Sequence, residues 1–174
     1  SPNANYFAVL PTASGTTIPV YQRLGDGFTT SGFTSPTHSG GATAKNSVAF
    51  SPDGRYLAVT SDSNIYLWSI SSTGSFTALS TLSPTSSTGL TGVAFSQGGQ
   101  YLVAGRNETP YFVMYKIDPS DSFTQLSDPS GVPTASVGTH FSFSANGQYF
   151  AMTTDNTSYP VLLFQKTAAM SFEY

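Results

Sequence analysis

Apolar and polar residues alternate along short segments that recur in one order through the chain. Each cycle holds four such segments, named strands a to d here. Strand a pairs large residues on one side with small ones on the other, at 48–50, 93–95 and 141–143. A tight turn leads to strand b, and strands c and d follow. This two-residue period predicts β-strands, and no helical period competes with it.

The cycle is an internal repeat. Residues 51–59, Ser-Pro-Asp-Gly-Arg-Tyr-Leu-Ala-Val, return in similar form at 1–9, 96–104 and 144–152. Their starts are 50, 45 and 48 residues apart, near the length of a four-stranded blade, about 40–45 residues. Strand b carries a tyrosine at the same position in every copy: Tyr6, Tyr56, Tyr101 and Tyr149. Strand c falls at 18–21, 65–68, 112–115 and 161–164. Strand d carries a phenylalanine in every copy: Phe28, Phe76, Phe123 and Phe172.

Residues 48–59, Val-Ala-Phe-Ser-Pro-Asp-Gly-Arg-Tyr-Leu-Ala-Val, with Ile-Tyr-Leu-Trp at 65–68, resemble a WD40-like β-propeller repeat. The resemblance covers the chain in four copies. It implies an all-β propeller of four antiparallel, four-stranded blades. We expect one domain over 1–174, with repeats of about 1–50, 51–95, 96–143 and 144–174. No Gly-His pair precedes strand a, and Ser follows Trp68, which disfavours an intracellular scaffold.

Two segments are similar to propeller repeats of bacteriophage tail and bacterial surface proteins. They are Thr-Pro-Tyr-Phe-Val-Met-Tyr-Lys at 109–116 and Ser-Phe-Thr-Gln-Leu at 122–126, followed after a Pro-rich connection by Phe-Ser-Phe-Ser. This resemblance implies a virion or an extracellular, cell-surface location. The leading hypothesis is a non-enzymatic structural or recognition module of a phage tail, a virion decoration or a surface appendage. The alternatives are a carbohydrate-binding propeller lectin and an intracellular protein-interaction scaffold.

The first copy begins at the a–b turn, so blade 1 is predicted to lack its innermost strand and the chain to hold 15 strands of a possible 16. An open strand edge invites pairing with another chain unless it is covered. Three explanations remain: a longer protein, a strand borrowed from a partner, or irregular filling by 1–5 or 30–46. We expect partner subunits, in a homo-oligomer or larger assembly, to complete this seam. Two copies could close an eight-bladed ring.

The composition excludes several classes of partner and of chemistry. Charged residues make up 9% of the chain and the net charge is −3, so no basic stripe for nucleic acid is available. No apolar run reaches the length of a membrane span. There is no cysteine, which excludes disulfides and thiolate chemistry. Most of the 24 aromatic residues fall at repeat positions, so they are expected to pack between blades.

Candidate binding residues lie on the face formed by the b–c and d–a loops, because these loops vary while the a–b and c–d turns repeat. Tyr111 and Tyr159 end two b–c loops there. We expect each ring to pack under its loop, and an exposed ring that stacks on a sugar is the alternative. His38 and His140 fall near the same face. Sugars are therefore candidate ligands. Asn107 and Asn156 begin glycosylation sequons, which matter only in a eukaryotic secretory context.

The sequence offers little catalytic chemistry. Arg23, Arg55 and Arg106 occupy different repeat positions, so a cluster of arginines is not expected. Asp118 and Asp121 lack the spacing of a calcium loop and are interpreted as a solvated turn. Neither histidine has a carboxylate beside it in sequence. We therefore predict no catalytic residue, metal or cofactor, and no enzymatic activity.

Overall fold

The structure, a computed structural model, describes residues 1–11, 15–30, 32, 34–38, 45–84, 89–109, 111–129, 132, 137–167 and 172–174. Within these ranges the chain forms 15 strands and no helix. They are β1 (Tyr6–Ala8), β2 (Val20–Leu24), β3 (Gly27–Thr29), β4 (Lys45–Phe50), β5 (Tyr56–Ser61), β6 (Ile65–Ile70), β7 (Phe76–Ala78), β8 (Val93–Phe95), β9 (Tyr101–Gly105), β10 (Phe112–Ile117), β11 (Phe123–Gln125), β12 (Gly138–Phe143), β13 (Tyr149–Thr154), β14 (Val161–Lys166) and β15 (Phe172–Glu173).

The strands form four separate antiparallel sheets, which confirms the predicted four blades. Blade 1 has the three strands β1-β2-β3, and blades 2 to 4 have four each, β4 to β7, β8 to β11 and β12 to β15. Among the described residues, blade 1 therefore lacks its innermost strand, as the sequence predicts. In the first strand c, the ladder starts at Val20 rather than at residue 18. The Ile18 amide instead donates to the Pro36 carbonyl, and Pro19 has no N–H to give.

The a–b turns explain the repeated Ser-x-x-Gly-x-Tyr pattern. In blade 2 the Ser51 hydroxyl accepts the Tyr56 amide at 2.9 Å, while the Ser51 amide donates to the Tyr56 carbonyl. Gly54 between them has a φ of 75°, in the left-handed region that favours glycine. The same serine-to-tyrosine bond recurs in the other three turns at 2.9–3.0 Å. The repeat is thus a local hydrogen-bonded hairpin.

Hydrophobic cores lie between the blades. Alternate residues of a strand face opposite neighbours: in β5, Tyr56 and Ala58 join the core with blade 3, whereas Leu57 and Val59 join the core with blade 1. Three such cores connect blades 1 and 2, 2 and 3, and 3 and 4. The aromatic surplus is mostly in these cores, as predicted, because flat sheets need large side chains to fill the space between them.

The blades form an open arc. None of the cores found among the described residues joins blade 4 back to blade 1. Residues 36–38 pair with 16–18 beside the start of strand c, and residues 1–5 form the first a–b turn. Neither described segment supplies the missing strand, and 31, 33 and 39–44 of the 30–46 connection lie outside the described residues. Within the described ranges, the inner edge of β1 and the outer faces of blades 1 and 4 are uncovered.

Tyr115, in the core between blades 2 and 3, is expected to make the free energy of unfolding fall at alkaline pH. Burial raises the pKa of Tyr115 to about 12, because the charged phenolate is poorly solvated there. An unfolded tyrosine ionises near pH 10. Stability from this group is therefore complete below about pH 10 and is lost as the pH rises toward about 12. Urea unfolding across this range should show the loss, and Tyr115→Phe should make the fall with pH shallower. An equal pH slope in the variant would contradict this.

Candidate functional site

A cavity of about 620 Å³ lies at the loop end of the innermost strands, and it is called the inner cavity here. Its walls come from the first residues of β4, the connection before β8, the first half of β12 and the b–c loop of blade 3. The polar side chains that line it are Lys45, Asn46, Ser47, Thr91, Asn107, Thr139 and His140. The volume is in the range of small-molecule pockets.

Two β-bulges shape the inner cavity. The β4–β5 register shifts between Lys45 and Ser47, and the β12–β13 register shifts between Gly138 and His140. Each bulge adds one residue to the innermost strand at the same repeat position, Asn46 in blade 2 and Thr139 in blade 4. Bulges of this kind re-aim side chains next to functional sites. Both inserted residues line the cavity.

Hydrogen bonds between neighbouring blades hold the walls in place. The Asn46 side-chain amide donates to the Leu90 carbonyl, and the Ser47 hydroxyl accepts the Val93 amide at 3.2 Å. On the opposite wall the Thr91 hydroxyl donates to the Gly138 carbonyl. These bonds tie blade 3 to blades 2 and 4, so the cavity has a fixed shape before any ligand enters.

Lys45 gives the inner cavity its positive charge. Its ammonium donates to the Gly15 carbonyl in the b–c loop of blade 1, and burial lowers its pKa below the usual range for lysine. Among the described lining residues no carboxylate accompanies it. The site therefore attracts an anion or the oxygen atoms of a polyhydroxylated ligand.

His140 is the candidate acid–base group of the cavity. Its ring is exposed, and Nδ1 lies 3.3 Å from the Thr139 hydroxyl oxygen. Thr139 Oγ1 is in turn 2.9 Å from Thr153 Oγ1 and 3.3 Å from the Thr153 carbonyl. When Nδ1 donates to Thr139, Nε2 is the basic nitrogen. The structure thus places His140 on the predicted loop face.

His38 lies outside the inner cavity. It is buried, stacks on Tyr66 with 4.1 Å between ring centroids, and makes a 3.1 Å hydrogen bond from Nε2 to the Gly15 carbonyl. The carbonyl can only accept, so Nε2 carries the hydrogen. The structure does not bring the two histidines together. His38 instead helps to fix the long connection after blade 1.

The two predicted tyrosine anchors have different surroundings. Tyr111 is 6% exposed, belongs to the core between blades 3 and 4, and accepts a 3.2 Å bond from the Thr109 hydroxyl. Its ring therefore packs under the loop in this structure. Tyr159 is exposed at the end of its loop. Sugar binding by either residue stays a prediction. Of the two sequon asparagines, Asn107 lines the inner cavity and Asn156 caps its own loop, accepting the Ser158 amide at 2.8 Å.

The charged residues outside the cavity pair separately. Arg55 contacts Asp121, Arg106 is buried and lies 2.9 Å from Asp128, and the Arg23 Nε donates to the Gly25 carbonyl at 3.1 Å. Within the described part of the chain, no three histidine or carboxylate side chains gather as a metal site would need. No helix that could span a membrane occurs in those ranges either.

Sequence reasoning missed the inner cavity as a unit. Asn46, Thr91 and Thr139 share one repeat position, two residues before the apolar core of strand a. A polar residue recurs at this position in three of the four copies. This recurrence was the available signal. The bulges that aim these residues inward leave no mark in the hydrophobic pattern.

A family model supports the fold. The model described as WD domain, G-beta repeat matches residues 31–69. The β-propeller domain of Cps50 (Swd1) from Myceliophteria thermophila superposes with a TM-score of 0.68 at 11% identity, over 97% of this chain and 55% of that one. The fold is a WD40-like β-propeller. No curated protein matches the sequence.

Other solved propellers resemble the chain more closely in shape. A provisional 6-phosphogluconolactonase from Bacteroides fragilis has a TM-score of 0.79 at 14% identity, over 98% of this chain and 50% of that one. The periplasmic gluconolactonase PpgL of Pseudomonas aeruginosa has a TM-score of 0.71 at 18% identity, over 100% and 50%. The chain thus spans about half the length of the proteins it matches. At these identities the likeness shows the fold.

The leading hypothesis from the sequence is wrong. Solved proteins of similar fold carry gluconolactonase names, and none of the findings supports a phage or cell-surface structural module. The segments compared with phage repeats are ordinary blade strands, and low charge with Ser/Thr-rich loops is common to propellers of many functions. Neither feature distinguishes a virion part from an enzyme.

Proposed function

We propose that this propeller binds a sugar lactone in the inner cavity and forms part of a hydrolase that opens it. The observation that supports this most is the preformed cavity itself, which combines one basic imidazole, one ammonium and several amide and hydroxyl groups. The gluconolactonase names of similarly folded proteins favour a lactone over other polyhydroxylated ligands. Because this chain spans half of those proteins, the activity is proposed for the assembled protein.

Lactone hydrolysis needs a general base and polar groups that hold the substrate. His140 Nε2 takes a proton from a water molecule while the water oxygen attacks the lactone carbonyl carbon. The bond between that carbon and the ring oxygen then breaks. The imidazolium returns the proton to the departing ring oxygen, so the products are the open-chain acid and the free base. Thr139 and Thr153 hold the imidazole in the required orientation through Nδ1.

The remaining side chains of the inner cavity orient the substrate. Asn46 and Asn107 offer amide donors and acceptors, which suit the alternating hydroxyls of a sugar. Asn107 lies against Gly89, where any side chain on residue 89 would collide with its amide. The Lys45 ammonium lines the cavity and would pair with a phosphate or a carboxylate of the substrate.

The test is lactone hydrolysis above the spontaneous rate. The assembled protein should accelerate the opening of gluconolactone 6-phosphate, as measured by the release of acid in weakly buffered solution. His140→Ala should lower kcat by about a hundredfold or more, since a positioned general base contributes about 10²–10⁴-fold. Thr157→Ala, an exposed loop substitution on the same face but outside the cavity, is the matched control and should leave the rate unchanged.

Two results would refute the proposed function. One is a rate equal to that of buffer for both gluconolactone and its 6-phosphate. The other is hydrolysis that His140→Ala leaves intact. Heat unfolding of each variant, measured alongside, separates a chemical effect from a folding defect.

A further inference from the structure

One aromatic contact recurs at every junction between blades. The strand-b tyrosine of each blade meets the strand-d phenylalanine of the next blade edge to face. Centroid distances are 5.4–5.6 Å and interplanar angles 78–87°, in the pairs Tyr6–Phe76, Tyr56–Phe123 and Tyr101–Phe172. This is the geometry that aromatic quadrupoles favour. The contact therefore defines how one blade seats on its neighbour.

The two ends of the arc hold the halves of a fourth such contact. Phe28, the strand-d phenylalanine of blade 1, is 55% exposed, and Tyr149, the strand-b tyrosine of blade 4, is 39% exposed. Among the described residues, no neighbouring blade packs against Phe28 or Tyr149 in this way. Each end of the arc thus exposes one half of the tyrosine–phenylalanine contact.

The surroundings of these two residues are complementary as well. On blade 1, Phe7 is 53% exposed beside Phe28, with 5.9 Å between ring centroids. On blade 4, Leu163 is 58% exposed near Tyr149 on the same side of the sheet. At the equivalent positions inside the arc, Leu57, Leu102, Phe150, Leu67 and Met114 are all buried. The ends thus expose the surface that the blades elsewhere bury against one another.

A polar contact extends the match. At the junction of blades 2 and 3, the Tyr56 hydroxyl donates to Asp121, which lies two residues before Phe123. Asp26 stands two residues before Phe28 and is exposed. A tyrosine seated on Phe28 in the same way would bring its hydroxyl to the Asp26 carboxylate. Tyr149 carries that hydroxyl.

We infer that the occupant of each end face is a second copy of this chain, with Tyr149 of one copy seated on Phe28 and Asp26 of the other. Two copies make this contact twice and close a ring by twofold symmetry. The solved propellers that the chain resembles are about twice its length, so two copies together have about the length of one of those propellers. The contact is heterologous, because the two faces of one copy differ.

Sedimentation equilibrium tests the pairing. The wild-type chain should sediment at twice its 18.3 kDa mass. Phe28→Lys and Tyr149→Glu should each weaken the dimer by about a hundredfold or more, the scale of a central interface residue. The two substitutions together on one chain should restore much of the dimer, because each altered face then meets the opposite charge on the other copy.

The controls place the same charges elsewhere. Gln125→Lys and Thr77→Glu change exposed outer-strand residues of the middle blades and should leave the dimer intact. Thermal unfolding of every variant shows whether it folds, and recovery in the doubly substituted chain cannot come from a folding defect. A wild-type monomer at all accessible concentrations would overturn the inference and assign the end faces to further blades of a longer polypeptide. A dimer that neither single substitution weakens would overturn it too.

Discussion

Phe150→Ala is expected to lower the free energy of unfolding by about 3–5 kcal/mol, the usual cost of deleting a buried aromatic ring. Phe150 is 1% exposed and stacks on Phe164 with 4.5 Å between centroids. It also contacts Phe112 at 5.0 Å and Phe172 at 5.2 Å. Alanine would leave a void at the centre of the core between blades 3 and 4. Urea denaturation followed by circular dichroism measures the change.

Phe7→Ala is the matched control for this substitution. Phe7 occupies the same repeat position as Phe150 but lies on the uncovered face of blade 1, so its ring is half in water already. At concentrations where the chain is monomeric, its removal should cost about 1 kcal/mol or less. Equal losses from the two substitutions would mean that blade 1 is covered in the monomer, contrary to the open arc.

Gly138→Ala is expected to destabilise the chain by about 3 kcal/mol, at the upper end of the usual cost of overpacking. A Cβ on Gly138 would lie 2.7 Å from the Tyr111 carbonyl oxygen and 2.5 Å from the Met152 sulfur. The thioether can move, whereas the backbone carbonyl cannot do so without shifting its loop. The wall of the inner cavity should be displaced with it, because the Gly138 carbonyl holds the Thr91 hydroxyl.

Gly27→Ala provides the comparison for this glycine. Its nearest neighbour to a new Cβ is the Leu24 carbonyl at 3.9 Å, so the methyl group fits. Unfolding midpoints should stay within about 0.5 kcal/mol of the wild type, as for most surface substitutions. If Gly138→Ala were equally neutral, the close approach of β12 to the loop before β10 would be wrong.

The sequence predicts most of this fold because each blade repeats a local pattern. Ser51, Gly54 and Tyr56 specify the a–b turn through bonds within six residues, so the turn appears in the sequence wherever it appears in the structure. The missing innermost strand of blade 1 follows from the same register. The first strand c was misplaced because Pro19 and the pairing of Ile18 with Pro36 depend on a distant connection.

The site was predicted only in outline. The loop face and His140 follow from the order of strands, but Lys45 and Asn46 enter the cavity through bulges, which depend on packing between sheets rather than on periodicity. Tyr111 shows the converse limit. Its place at a loop end is compatible both with an exposed ring and with packing under the loop, and a φ of 73° turns it under the loop into the core. Loop position alone does not determine burial.

The complementarity of the two end faces is tested most directly by site-specific cross-linking. The chain has no cysteine, so Phe28→Cys and Tyr149→Cys each introduce a single thiol. The two singly substituted proteins, mixed and treated with a short bismaleimide, should give a covalent dimer that neither gives alone. A dimer from Phe28→Cys by itself, or none from the mixture, would contradict the pairing of blade 4 with blade 1.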